Sequence, residues 1–387
     1  MKIALSSICR GHMYALAREL QQRGSLAAVY SGYARQMLKR EVLGSATVFT
    51  FPWVHMPYMA ARRLGLLSSW SEEVVLRADY ASYERFVARH LVEADIFHGL
   101  SCHNLQPGLL TQRRGGHYIC DRGSSHIKYQ DRVMREESER TGIPVRPVDP
   151  AVIAREQREY AACDRIFVPS SFALRTFVAQ GIAREKLWSF PYGVDLSRWR
   201  RVAKLENQKF RIVYLGSLTL RKGIHDLLLA FHRAALPDAE LVLIGTHSSE
   251  TTALLQSAPL QNVVLTGPLK HADVLSWLSR SSVFVLASIE DGFGLVLLEA
   301  MACGLPVIAT ENTGGPDIIV EGQNGFVVPI RSPDSIAERL VALYQDRTYL
   351  AEMSDAALRS AERVKGWTSF ADQMIARYRD LVGVPAA

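Results

Sequence analysis

The chain has 387 residues, 48% hydrophobic and 22% charged, which is the composition of a folded protein of two or three domains and excludes a disordered one. No run of 18 apolar residues occurs, so hydropathy marks no membrane-spanning helix. The net charge of +6 is uneven: residues 1–200 hold 28 Lys and Arg against 19 Asp and Glu, residues 201–387 hold 17 against 20, and the N-terminal half is expected to face something anionic.

Lys2-Ile3-Ala4-Leu5 is predicted as a short buried strand. Its apolar run is too brief for a signal peptide and leads directly into a helical pattern from Tyr14. The loop between them, Ser6 to His12, lies at the carboxyl end of a strand, where α/β domains carry ligand-binding residues. It has no GxGxxG, so a dinucleotide is not expected. Leu26 to Tyr30 is the next strand. Residues 33–70 interleave Arg35, Lys39, Arg40, Arg62 and Arg63 with Phe49, Trp53, Tyr58 and Trp70. That pattern suits an interfacial membrane contact, an acceptor loop or core packing, and the residues alone leave the three open.

A strand is predicted to end near His98, and Tyr118-Ile119-Cys120 forms another. The loop after it, Asp121-Arg122-Gly123-Ser124-Ser125-His126, is chemically rich for its length and is predicted to line an acceptor site. Residues 128–162 are charged and predict long exposed helices, interrupted around Pro144, Pro147 and Pro150. Arg165 to Val168 is a strand, Ser170 caps the helix that follows, and residues 197–209 form a polar linker. Five cysteines without a CxxC pair fit a reducing compartment and no structural zinc site.

A second α/β unit opens with the strand Phe210 to Leu215. Gly216, Ser217 and two adjacent cations, Arg221 and Lys222, then precede a helix, which makes a diphosphate-facing element. The strands ending at Gly245 and Gly267 offer their ends to a nucleotide base. The strand Val283 to Leu286 leads to Glu290-Asp291-Gly292-Phe293-Gly294 and a helix from Leu295. A glycine turn before a helix N-terminus exposes unpaired N–H groups to an anion, and Gly292 and Gly294 allow close approach. Glu299, two turns further in, is placed for a ribose diol rather than the same phosphate.

This stretch resembles the signature of the family 4 (group 1) retaining glycosyltransferases: an acid, seven residues, then Glu, with Gly-Phe-Gly between and Ala-Met-Ala-Cys-Gly after. Asp291 and Glu299 hold the two acid positions; Asp291 stands where the family has Glu, and Glu290 is adjacent to it. Pro191-Tyr192-Gly193-Val194-Asp195 matches the family's turn at the end of the first domain. Lys222 matches its lysine, whereas Ser217 stands where it has Arg, leaving Arg221 to supply that charge.

The resemblance implies a GT-B fold: two Rossmann-like domains facing across a cleft, 1–199 and 207–365, with 366–387 crossing back onto the first. It implies transfer of a hexosyl group from a nucleotide diphosphate sugar to a carbohydrate or lipid-linked acceptor, with retention of configuration, in surface polysaccharide or glycolipid synthesis. Asp291, His98 and Lys222 would be catalytic. Gly216, Ser217, Arg221, Lys222, Gly245, Gly292, Phe293, Gly294, Leu295 and Glu299 would hold the donor. Gly11, His12, His103, Arg122, Ser124 and His126 would hold the acceptor. With no Asp-x-Asp in the chain, neither metal nor cofactor is expected. A cytoplasmic location with a peripheral contact on an anionic membrane follows from the basic half, and nucleic acid is not an expected partner. A nucleotide-sugar epimerase, a phosphorylase of the same fold and a non-catalytic binding module remain as alternatives.

Overall fold

The computed structural model describes the chain apart from residues 10, 42, 45, 65, 203–208, 248, 257–258, 365 and 385–387, and apart from the side chains of Arg40, Arg63, Ser69, Trp70 and Ser249. Three side chains of the basic-aromatic stretch and most of the linker's second half therefore lie outside the described residues.

The strands of the first sheet are β1 (Ile3–Ser7), β2 (Leu26–Ser31), β3 (Val48–Thr50), β4 (Ile96–Leu100), β5 (His117–Asp121), β6 (Arg165–Val168) and β7 (Leu187–Ser189). They pair in the order β3-β2-β1-β4-β5-β6-β7, all parallel. The second sheet contains β8 (Arg211–Leu215), β9 (Glu240–Ile244), β10 (Val263–Gly267), β11 (Val283–Leu286), β12 (Val307–Thr310) and β13 (Gly325–Val328). Its order is β10-β9-β8-β11-β12-β13, again parallel. Strands covered on both faces by helices must be apolar throughout, and β11, β12 and β1 are buried at every residue. The covering helices follow the 3.6-residue period: Ile224–Ala234 turns Ile224, Leu227, Leu228 and Phe231 into the core.

Between residues 127 and 162 the chain forms two helices, Ile127–Thr141 and Pro150–Ala162. Gly142 ends the first in the left-handed region at φ 70°, and Asp149 with Pro150 starts the second. They are less exposed than their charge predicts, because Glu137, Glu156 and Glu159 point inward and are paired there. Residues 33–70 contain a 3₁₀ turn, the short strand β3 and the helix Pro52–Arg63, after which Ser69–Arg89 is helical.

The final helix, Gly366–Val382, leaves the second unit and packs on the first. Arg23 reaches Asp372 at 2.8 Å, and Phe370 sits edge-on to Phe167 of β6. The chain thus passes between the units twice, and the crossings touch: a Cβ on Gly193 would lie 2.3 Å from the Gly366 backbone.

Candidate active site

In both sheets the carboxyl ends of the strands face the other unit. The loop after β8 carries Arg221 and Lys222, and Gly223 adopts φ 65° beneath them. Its glycine identity is required, since a Cβ there would lie 1.8 Å from the Ala287 carbonyl. The two cations are thereby held against the turn that follows β11. Lys222 Nζ binds Asp291 Oδ2, and Arg221 binds Glu290 Oε2 at 2.8 Å. Burial lowers the Lys222 pKa, with the Asp291 carboxylate opposing that shift. Gly294, at φ 76°, starts the helix Leu295–Ala302 without a side-chain cap, so first-turn N–H groups stay available beside this double ion pair. At the other end Arg201 closes the helix by donating to the Gly304 carbonyl at 2.9 Å.

Glu299 is half-buried and has no hydrogen-bond partner among the described residues. Burial, against the weaker pull of Arg198, pushes its carboxyl up to about 7. An unpaired carboxylate one helical face from an anion-receptive terminus is suited to a neutral diol. Gly216 and Gly245 meet at the ends of β8 and β9, where a Cβ on Gly245 would lie 1.6 Å from the Gly216 carbonyl. Ser217 is exposed beside them, and Leu295 is half-buried. The Phe293 ring is placed otherwise than expected. It is 1% exposed and packs on Tyr192 and Gly314, so it braces the turn from behind and only its backbone faces a ligand.

Glu290 was the ambiguous neighbour in the sequence, and its position is distinctive. Its Oε1 accepts from Ser124 Oγ at 2.6 Å, Ser125 Oγ at 2.8 Å and Ser125 N–H at 3.1 Å, all from the loop after β5 in the other unit. Burial raises its pKa, but Arg221 and the two serines more than offset this and hold the carboxyl at about 2. Glu290 therefore clamps the units together, and Asp291 keeps the more open place. Ser170 Oγ donates to the Gly292 carbonyl at 2.5 Å in the same contact. Nothing in the sequence marks this bridge, because it joins residues 165 positions apart.

The other N-terminal candidates divide. His12 heads the helix His12–Gln22, with Nε2 2.7 Å from Asp121 Oδ2 and its ring stacked on Tyr192. Gly11 is extended and exposed. His98 is fully buried, and both of its nitrogens are engaged, by Asp121 Oδ2 at 3.1 Å and by Tyr378 of the final helix. The expected direct contact with a sugar is thus not made in this arrangement; His98 orients Asp121, and Asp121 orients His12. His103 is 2% exposed. His126 caps Ile127–Thr141 and packs on Tyr160 and Phe177; burial, with Arg122 and Lys128 nearby, lowers it to about 4. Arg122 is spent on Glu156, Gln130 and the Ser125 carbonyl, which shapes the loop that presents Ser124.

Among the described residues one group of metal-capable side chains converges, Glu137, His225 and Asp226. Arg140 lies 2.6 Å from Glu137 and 2.9 Å from Asp226, and Arg331 lies 2.8 Å from Glu137. Two guanidinium groups already balance these carboxylates, so the cluster is an ion-pair network joining the units rather than a metal centre.

Residues 196–360 match the family model of the glycosyl transferases, group 1. That stretch is therefore similar to the group 1 glycosyl transferases. Over 226 residues it is 28% identical to a GDP-mannose-dependent monoacylated alpha-(1-6)-phosphatidylinositol monomannoside mannosyltransferase from Corynebacterium glutamicum, covering 53% of this chain and 59% of that one. The chain spans less than two thirds of the length of the curated relatives it matches first. Sucrose-phosphate synthase from Thermosynechococcus elongatus superposes with a TM-score of 0.71 at 18% identity, over 99% of both chains. Anabaena HepE in complex with UDP does so with a TM-score of 0.69 at 16% identity, over 98% of this chain and 100% of that one. The matched stretch lies in a GT-B fold of two facing parallel sheets.

Proposed function

We propose that the protein transfers a hexosyl group from a nucleoside diphosphate sugar to a hydroxyl of a carbohydrate or lipid-linked acceptor, with retention of configuration and without a metal ion. The observation that carries this is the pairing of Lys222 and Arg221 with Asp291 and Glu290 beside the uncapped helix at Gly294. Each cation is held by a carboxylate that a diphosphate would replace as partner. The departing phosphate charge would be met by Lys222, Arg221 and the N–H groups of Leu295 and Val296. Glu299 would take the ribose diol and Asp291 the donor sugar. In the transfer, the bond from the acceptor oxygen to the anomeric carbon forms on the face from which phosphate departs. The acceptor proton passes to the departing phosphate oxygen, and no adduct forms with the protein.

A panel of nucleoside diphosphate sugars tests this by thermal shift, because a ligand that binds only the folded state raises its melting temperature. One or a few members should stabilise the wild type and not Lys222→Ala. Equal stabilisation of both proteins, or of neither by any member, counts against the reading.

A peripheral membrane contact is the finer part of the proposal. Trp53, Met59, Leu64 and Leu66 are exposed at 76, 39, 70 and 71%, on or just after the helix Pro52–Arg63, and Arg62 is exposed among them. Apolar side chains beside a cation suit the headgroup layer of an anionic bilayer. Among the described residues no helix is long and apolar enough to cross a membrane. Sedimentation should be greater with anionic than with neutral liposomes at low salt, and equal sedimentation removes the contact.

A further inference from the structure

Three buried side chains at the carboxyl edge of the first sheet carry polar atoms with no hydrogen-bond partner among the described residues. His55 Nδ1 lies 2.8 Å from Asp79 Oδ2, which leaves His55 Nε2 and Asp79 Oδ1 unpartnered. His103 Nε2 accepts from the Ile8 N–H at 3.4 Å, so the ring proton is on Nδ1, and that N–H is also unpartnered. The three residues are 5, 0 and 2% exposed. They come from different elements: the His103 ring lies 5.6 Å from Tyr80 and 5.3 Å from Tyr83, on the helix that carries Asp79. Tyr33 stands edge-on to His55 at 5.4 Å. A Cβ on Gly32 would lie 2.5 Å from the Ile8 carbonyl and 3.2 Å from His55, so the glycine lets the loop after β2 pass this close.

Buried polar atoms are nearly always satisfied, and these three atoms are suited to a bound partner. Their chemistry restricts that partner. With its Nδ1 proton given to Asp79, His55 offers an acceptor, Asp79 offers another, and His103 offers a donor. Hydroxyl groups both donate and accept, and so satisfy all three. A phosphate is anionic and offers mainly acceptor oxygens, which would face the Asp79 carboxylate and the His55 lone pair. The Arg155 guanidinium is already 2.5 Å from Glu84. Position agrees with chemistry. The loops after β1, β2 and β4 open on the same edge of one parallel sheet as Ser124, Ser125 and Ser170, which touch the donor turn.

We propose that His55, Asp79 and His103 form an acceptor subsite that binds neighbouring hydroxyls of a neutral sugar ring, flanked by Tyr33 and Tyr80. This rests on the transfer reading above. It also gives residues 52–63 a second role, since the helix that exposes Trp53 on one face carries His55 on the other.

The test is NMR of the full chain labelled with ¹⁵N-histidine. Methyl α-glycosides of glucose, galactose and mannose are titrated separately, with inorganic phosphate as the contrasting probe and a nucleoside diphosphate as the donor-side probe. At least one glycoside should shift the ring signals of both His55 and His103 saturably, with the signals assigned through His55→Gln and His103→Gln. Asp79→Asn should weaken that glycoside about tenfold while leaving the nucleoside diphosphate within about twofold, because only the sugar loses a hydrogen bond to a buried charge. Should one histidine variant fail to fold, the other still assigns its signal, and that response decides. A protein that binds a nucleoside diphosphate but shifts neither histidine with any glycoside, or shifts them with phosphate, overturns the subsite alone. One that binds no nucleoside diphosphate overturns the transfer reading instead.

Discussion

At the scale of single residues, the site separates groups that resemble one another in sequence. Glu290, Asp291 and Glu299 lie within ten positions, yet one clamps the units, one pairs with Lys222 and one is unpaired. The sequence pointed to Lys222, Asp291 and Glu299 through a resemblance, and the structure brings Lys222 and Asp291 into contact. It did not show what Glu290 and Asp121 bind, because their partners are set by contacts between distant segments, and it placed Phe293 among the ligand residues although its ring is packed in the core. The raised pKa of Glu299 yields a prediction. Its value of about 7 lies above the ordinary 4.5, so the folded state holds a proton between those limits that the unfolded chain has released. Stability from this group is therefore lost as pH rises from about 4.5 towards 7, and Glu299→Gln should be the more stable protein at pH 8. Hydrogen bonds from a ribose favour the ionised form. Nucleoside diphosphate binding near pH 6.5 should then release protons, seen as a buffer-dependent heat in calorimetry, and Glu299→Gln should abolish that release. Identical proton release in the variant would remove Glu299 from the site.

At the scale of elements, glycines set the distances between loops. Gly292 is the clearest case, because the atoms a Cβ would meet belong to the other unit: the Gly123 carbonyl at 2.1 Å and Ser124 Cα at 2.5 Å. Its φ is not in the left-handed region, so alanine costs no backbone strain. Gly292→Ala should therefore leave the second unit folded and able to bind nucleotide, yet hold the cleft open. Small-angle scattering should show a larger radius of gyration, with turnover reduced by at least about tenfold, since closure completes the site. An unchanged radius would mean that the loops yield instead. Strand and helix identities were legible in the sequence from Val283 to Thr310, where buried parallel strands read as unbroken apolar runs. They were not legible from 33 to 70, where β3 has three half-buried residues and the helix Pro52–Arg63 contains Pro57. Neither gives a clean period.

At the scale of the molecule, the network of Glu137, Arg140, His225, Asp226 and Arg331 joins the units, and a pH dependence of closure is expected from it. Burial raises the Glu137 carboxyl, but His225, Arg140 and Arg331 more than compensate and hold it at about 2. Its contribution is fully present above the ordinary 4.5 and is lost as pH falls from there towards about 2. His225 moves the other way: burial lowers it, while Asp226 and Glu137 prevail and raise it above 6.5. Its contribution is complete below 6.5 and is lost as pH climbs through the raised value. The closed form should thus be most populated from about pH 4.5 to 6.5, opening on both sides in small-angle scattering. His225→Gln should flatten only the alkaline side; a pH profile identical to wild type would show that the network does not control closure.

All of this depends on the second unit handling a nucleoside diphosphate sugar through Lys222. The most direct measurement is steady-state release of nucleoside diphosphate from the best stabilising donor, in excess EDTA, for wild type and Lys222→Ala. Turnover by the wild type should persist under chelation and fall roughly 10²–10³-fold in the variant, the usual loss when a charge-stabilising group is removed from a phosphate leaving group. Activity abolished by EDTA and restored by Mg²⁺, or a variant within about twofold of wild type, would contradict it.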